Sequence, residues 1–529
     1  MKEKTVKEKT TSMSVLFFPL GIIGFLAALI FLFPDGASGI IDGLFDIFTN
    51  KLGVYYIVLG LFVLSCSIYI AVSKYGNIKL GSLEKPRYPG WKWGSLIFTA
   101  TMAADIIFWS LIEWGYYYGA NPMGIAQVSE VQRHQIASSY PLFHWGPIPW
   151  AFYILPAAAY AYMFFVWKGK RQTLAEACRP VFNDKVDGIL GKIINIVAVV
   201  GLLGGTATTF AFTTPLMTSA FNTVFGFDAG KGATIIILLI TGIIFTVAVV
   251  IGMKAITKLA IINIIMFFAL LAFVFIFSGS GRFIIESGVS GIGNMLQNFV
   301  GWASWTDPLR LTEGVWTDPG SSGFPQTWTI FYWAYWIAWF IATPFFIAKI
   351  SEGRTLRNMI GGAYFYGIAG TFTSFIIFGN FGLHQQVRYP LLEGGIVAPA
   401  SPAGMLAADV DPQQVIIQLF DKLPLTNIIL LFLIVLMIVF YASTFDAITM
   451  VVAGFSRREL KGNEYPEKKL RIIWAFVFII LPIALIWAEQ TVMAIRTVSI
   501  VVAFPLSFIM LIIIFGFLKE LSKRSKLQG

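Results

Sequence analysis

The chain has 529 residues, of which 57% are hydrophobic and 12% charged, and its mean hydropathy is +0.75. Soluble domains carry about twice that share of charge, so the composition speaks against a soluble enzyme or binding module. The formal net charge of +10 sits in short connections between apolar runs, a distribution that reflects membrane topology rather than a nucleic-acid partner.

Apolar runs of a length that can cross a bilayer recur along the whole chain. They predict an all-α polytopic membrane protein with twelve spans: about 14–33, 53–74, 94–119, 142–167, 188–213, 232–252, 257–278, 326–348, 359–380, 425–450, 470–489 and 496–518. A β-barrel would show alternating segments of about ten residues instead. Pro147 and Pro149 interrupt the fourth run early and predict a break there.

Basic residues alternate between the connections. Lys2, Lys4, Lys7 and Lys9 precede the first span, whereas Lys51 alone follows it. Lys74, Lys79, Lys85, Arg87 and Lys92 follow the second, and Arg457, Arg458, Lys461, Lys468, Lys469 and Arg471 follow the tenth. Both termini are therefore expected in the cytoplasm. The N-terminal apolar run is too long for the core of a cleaved signal. Cys66 falls in a span and Cys178 in a basic connection, so no disulfide between them is expected, and neither has zinc-ligand spacing around it. The outside segments GRFIIESGVSGIGNMLQNFVGW and QQVIIQLFDKL read as amphipathic surface helices.

Two spans, the third and the eighth, are rich in aromatic residues and irregular in pattern. The third, TMAADIIFWSLIEWGYYYG, places Asp105 and Glu113 inside the membrane, where an acid is costly and by default functional. For Glu113, a structural hydrogen-bonding role at a helix break is an equal alternative. The following PLFHWGPIPWAFY contributes His144, Trp145, Trp150 and Tyr153, and His144 reads as a packing histidine. The eighth contains FYWAYWIAWF. Trp336 lies thirteen residues before Lys349, which puts it about 20 Å below that end of the helix. Such a depth suits the membrane middle, so an interfacial belt role fits Trp328 but not Tyr335, Trp336 or Trp339. Those three share one helical face. Packing is one reading of that face. A cage for a quaternary ammonium is the other, because a methylated cation has no N–H to donate and is attracted by ring faces.

FPQTWTIFYWAYW followed by IAKISEGRT, together with FWSLIEWGYYY, LFHWGPIPWAFY and YASTFDA in this order, resembles the betaine/carnitine/choline transporter family from the first span to the last. The resemblance implies a leucine-transporter-like fold. Residues 1–13 would form an N-tail, 14–90 two extra helices, 91–278 a first five-helix repeat, 279–325 an external connection with the surface helix, 326–518 an inverted second repeat and 519–529 a short C-tail. It also implies a homotrimer in a bacterial inner membrane, contacting through that surface helix, and alternating-access transport of betaine, carnitine, choline or a related methylated amine, with no enzymatic activity. A channel lacks a continuous polar lining among the spans. A transporter-derived sensor remains the reading from another class.

Position by position, the family's aromatic box falls on Tyr116, Trp145, Tyr335 and Trp336, with Trp339 and Tyr153 beside it. Tyr335 stands where the family usually has Trp. Sodium-coupled members have a glycine-rich break in the third span and hydroxyls in the tenth. Here the break reads TMAAD, while Ser443 and Thr444 match the hydroxyl pair. Sodium would use those oxygens and backbone carbonyls near Thr99 and Met102. Asp105 falls where some proton-coupled, choline-type members have Asp. FWSLIE and HWGPIPW most resemble ion-independent carnitine/butyrobetaine exchangers, but their methionine and fixed arginine are replaced here by Thr343 and the apolar stretch around Ile264. The expectation is uptake coupled to sodium or protons, without a cofactor, and substrate exchange is the alternative. KELSKRSKLQG is shorter than the basic helix of osmosensing members, so regulation through the C-terminus is not expected.

Overall fold

A computed structural model describes residues 12–528, apart from 101–102, 120–121, 123–127, 170, 228–229, 252, 311–322, 389–410, 458–465 and 489–491. The architecture is helical throughout, with a single isolated backbone bridge between Lys79 and Thr355 among the described residues. Nine described helices are long and apolar enough to cross a membrane, and two bent helix pairs raise this to eleven. The apolar helix that meets the sixth predicted span, Lys231–Val247, falls in the shorter class. Each predicted run therefore meets a helical element, while the count of twelve full spans is not reached by length and composition.

Several boundaries differ from expectation. A further helix, Pro34–Phe45, follows the first span. The fourth span is preceded by Glu130–His144, which a Ser129/Gln132 capping box starts. The chain turns at Trp145 and Gly146, and Pro147 opens the next helix, Pro147–Tyr162. Proline suits that first position because its missing N–H would have no helical partner there. The last helix, Val492–Gln528, runs on through most of the segment expected to be a separate tail. The two surface helices form as Gly281–Ser304 and Pro412–Phe420.

The two aromatic spans are both broken. Gly90–Ala100 and Ala104–Gly119 flank one break, with a bend of 65°. The segments Pro325–Trp339 and Ala342–Ile350 meet at 56°. Pro344 accounts for the second bend, because its ring occupies the place of a hydrogen bond to the preceding turn. The long helix Ile189–Phe225 packs against both broken spans and against Thr426–Phe455 and Val492–Gln528. Gly205 permits the close approach. A Cβ there would stand 2.9 Å from the Ala338 Cβ and 3.3 Å from the Trp339 indole nitrogen.

On the face with the basic connections, Arg179 gathers Glu176, Asp184 and Asp187, at 2.9, 2.8 and 2.6 Å. Beside it the Cys178 thiol is buried, which pushes its pKa up to about 12. Both cysteines are free thiols.

Candidate functional site

A cavity of about 470 Å³ lies between the two breaks. Its lining includes Asp105, Trp145, Tyr153, Tyr335, Trp336, Trp339, Ser443 and Thr444, so eight of the ten residues expected from the sequence meet there. Met102 lies outside the described residues. Tyr116 is not part of the lining. It is buried above the cavity, with its ring 4.7 Å from that of Trp328.

Trp336 is the centre of the aromatic wall. Its ring lies 4.5 Å from Tyr153, 5.4 Å from Trp150 and 5.6 Å from Trp145, in tilted or edge-on arrangements. These geometries hold the rings without stacking them face to face, leaving aromatic surface toward the cavity. Backbone and side chain fix the wall from behind. The Thr371 hydroxyl bonds to the Trp145 carbonyl at 2.8 Å, and the Trp150 indole N–H reaches the Thr371 oxygen at 3.4 Å.

Asp105 starts the second half of the third span and is half-buried against the cavity. It is the sole charged side chain among the described lining residues. Its Oδ2 accepts a hydrogen bond from the Tyr335 hydroxyl at 2.8 Å, and the Tyr335 oxygen is also bonded to the Thr209 hydroxyl at 2.5 Å. A tryptophan at 335 has no hydroxyl for this bridge. Opposite the break, Ser443 donates to the Phe440 carbonyl at 2.8 Å, and Asn263 donates to the Ser443 oxygen at 3.3 Å. Ser443 and Thr444 are half-buried and present hydroxyl oxygens to the same space as Asp105. Oxygen donors of this kind fit a hard monovalent cation. Among the described residues no cluster of three His, Cys, Asp or Glu suits a multivalent metal.

Thr99, Ile261, Phe346 and Ile448 of the lining come from span halves that adjoin basic connections. The opposite side is sealed. Trp328 is fully buried, which corrects its expected place in an interfacial belt. Its ring is clamped between Tyr116 and the guanidinium of Arg496, which lies 4.3 Å from the ring centroid. Arg496 also donates to the Thr327 carbonyl at 3.0 Å. Sequence reading passed over Arg496, although a lone arginine inside an apolar run carries the same signal as Asp105.

Glu113 is likewise fully buried, beyond the cavity wall. Its Oε1 accepts from the Tyr117 hydroxyl at 2.7 Å and its Oε2 from the Trp145 indole N–H at 2.6 Å. His144 is satisfied, as its packing role requires, by the Tyr117 hydroxyl at 2.6 Å and Thr329 at 3.1 Å. Thr209, Asn263, Trp150 and Tyr441 complete the lining beyond the expected set. They lie far apart in sequence and follow no shared motif.

A family model for BCCT, the betaine/carnitine/choline family transporters, matches residues 14–526. The chain is 28% identical over 527 residues to a probable glycine betaine transporter of Desulfitobacterium hafniense, covering 98% of each. It is 26% identical over 457 residues to a carnitine transporter of Acinetobacter baumannii, covering 85% of this chain and 78% of that one. A substrate-bound Na+-coupled sialic acid symporter aligns over 90% of this chain and 87% of its own, with a TM-score of 0.41 and 11% identity. With a match that spans nearly its whole length, the chain belongs to the betaine/carnitine/choline transporter family.

Proposed function

We propose that this protein is a secondary active transporter that carries a quaternary ammonium compound by alternating access, coupled to sodium or protons. The observation that carries the reading is the aromatic wall of Trp145, Trp150, Tyr153 and Trp336 facing a cavity whose one charged lining residue is Asp105. Each well-placed ring contributes about 2 kcal/mol toward a desolvated cation. A carboxylate among those rings adds charge attraction and favours a substrate with net positive charge, such as choline, over a zwitterion. Among the described lining residues, no side chain offers a positive partner to a substrate carboxylate.

Asp105 serves as the proton carrier or as an added negative ligand beside a sodium ion held by Ser443 and Thr444. The Tyr335 hydroxyl orients its carboxylate. With both termini in the cytoplasm, the cavity faces inward and the Tyr116–Trp328–Arg496 layer is the closed outer side. Opening that layer while closing the Thr99–Phe346 side completes the cycle. The two helix breaks support an inverted repeat rocking about the site. The protein acts in a bacterial plasma membrane as a homotrimer joined through Gly281–Ser304, whose Ile285, Val289, Leu296 and Val300 are exposed.

Ion-independent exchange has less support, because neither a methionine nor an arginine is among the described residues that line the cavity. Uptake of choline, glycine betaine and carnitine into proteoliposomes tests the reading under a sodium gradient, a proton gradient or preloaded substrate. Coupled transport requires accumulation driven by an ion gradient. Uptake driven only by preloaded substrate would make the protein an exchanger, and binding without flux would make it a sensor.

A further inference from the structure

We propose that Glu113 is a positioning residue for the cage, whose carboxylate both orients the Trp145 ring and makes it a better acceptor of cations. The inference rests on the cage reading of the cavity. Glu113 does not line the cavity. It reaches the site through one bond, the 2.6 Å hydrogen bond from the Trp145 indole N–H to Oε2.

The surrounding contacts can all be satisfied with a carboxylate as the final acceptor. An indole N–H donates and never accepts, so Oε2 must accept. The Tyr117 hydroxyl lies 2.7 Å from Oε1 and 2.6 Å from His144 Nδ1, and has one proton to give. If that proton goes to Glu113, the chain closes consistently. Thr329 donates to His144 Nε2, His144 Nδ1–H donates to Tyr117, and Tyr117 donates to Glu113. Every proton then points toward an acceptor-only carboxylate, with neutral histidine behind it. Tyr332 packs beside this chain, its ring 4.7 Å from His144 and 5.6 Å from Trp145.

Two consequences reach the cavity. First, the indole plane is fixed at its nitrogen edge by Glu113, at its backbone by Thr371 and on its face by Phe375 at 4.9 Å. Second, a carboxylate at the N–H edge pushes electron density into the indole and deepens the negative potential over the ring face that a cation meets. The negative charge is placed behind the ring, where a substrate cannot pair with it directly. The arrangement strengthens selection for positive charge while keeping the contact surface apolar.

The test uses the full-length protein in nanodiscs, with choline and its uncharged carbon isostere 3,3-dimethylbutan-1-ol as probes. The variants are Glu113→Gln, Trp145→Phe and the double substitution. Glu113→Gln keeps shape and one acceptor but removes the charge, and is expected to weaken choline about tenfold while leaving the isostere within about twofold. In the Trp145→Phe background the Glu113→Gln effect should largely vanish, because the indole that transmits it is gone. A ligand-independent readout is the fluorine resonance of 5-fluorotryptophan at position 145, assigned by its loss in Trp145→Phe, which should shift in Glu113→Gln. Equal loss for both probes, or no loss with an unmoved resonance, overturns the inference. Should wild type bind no quaternary ammonium probe, the cage reading fails, and the resonance alone decides the positioning role: a shift supports it and an unmoved line overturns it.

Discussion

Asp105 and Glu113 sit on one helix, Ala104–Gly119, about 12 Å apart along its axis, yet they meet the cost of an intramembrane acid in opposite ways. Asp105 begins the helix at its break, half-buried against a cavity, with the Tyr335 hydroxyl on Oδ2 and the Ile106 N–H on Oδ1. Glu113 is sealed two turns further on, each oxygen holding a donor from the protein itself. The first carboxylate keeps coordination capacity for something that comes and goes. The second has spent its capacity on the scaffold. What separates the two is open space: Asp105 borders the cavity, whereas Glu113 is sealed behind it.

The largest expected effect removes the ring wall that the wet side depends on. Trp336→Leu deletes the ring that three other aromatics pack against. It should abolish measurable binding of a quaternary ammonium, a loss beyond about thirtyfold for one ring worth about 2 kcal/mol. Isothermal titration with choline and glycine betaine measures it, and unchanged affinity would take the cage out of the eighth span.

Next in size is Asp105→Asn, which keeps the acceptor for Tyr335 and removes the charge. If Asp105 carries the coupling proton, uptake should lose its dependence on a proton gradient and become flat with pH. If it assists a sodium site, the sodium concentration for half-maximal uptake should rise about tenfold, as expected for losing one charged ligand near a cation. Glu113→Gln should leave either dependence intact. A matching loss of ion coupling in both variants would erase the distinction between the two carboxylates.

Arg496 probes the sealed side from the other end. Arg496→Leu removes the guanidinium from Trp328 and Phe331 together with its hydrogen bond to the Thr327 carbonyl. Losing such a stacked, hydrogen-bonded cation should cost the closed outer layer about 2 kcal/mol. A cysteine placed at Tyr116 in a cysteine-free background reports the change. Maleimide labelling from the outside should be slow with Arg496 present and several-fold faster without it. Equal rates would mean that Arg496 does not hold that side closed.

The helical class, the irregular pattern of both aromatic spans, the break at Pro147 and the aromatic wall of the cavity were legible in the sequence, because apolar runs, ring clusters and a helix-breaking proline act locally. Trp145, Trp336 and Asp105 stood out because rings and charges deep in a span are conspicuous, whereas the Ser443–Thr444 pair came from the family resemblance. What was not legible depends on long-range contact. Thr209 reaches Tyr335 from a helix 126 positions away, and Asn263 reaches Ser443 across 180. Family correspondence placed Tyr116 in the box and depth placed Trp328 in a belt, whereas packing around Arg496 puts both in a common buried layer.

The smallest expected effect falls on Tyr335, the residue that joins the ring wall to the carboxylate. Tyr335→Phe keeps the aromatic face but removes the donor to Asp105 and the partner of Thr209. One such hydrogen bond is worth about 1 kcal/mol net, so choline affinity should fall by only about fivefold. The informative quantity is selectivity. With its tyrosine partner gone, the Asp105 carboxylate can turn away from the rings, and the preference for choline over glycine betaine should narrow. Tyr335→Trp removes the same hydroxyl while enlarging the ring, so it should narrow that preference as well and add bulk against Thr209. Competition binding with both ligands separates the two contributions: a change shared by Phe and Trp belongs to the lost hydroxyl, and a change confined to Trp belongs to ring size. If Phe binds both ligands in the wild-type ratio, the hydroxyl bridge does not tune the site, and Asp105 holds its orientation from the helix terminus alone, through the 3.0 Å bond that its Oδ1 accepts from the Ile106 N–H.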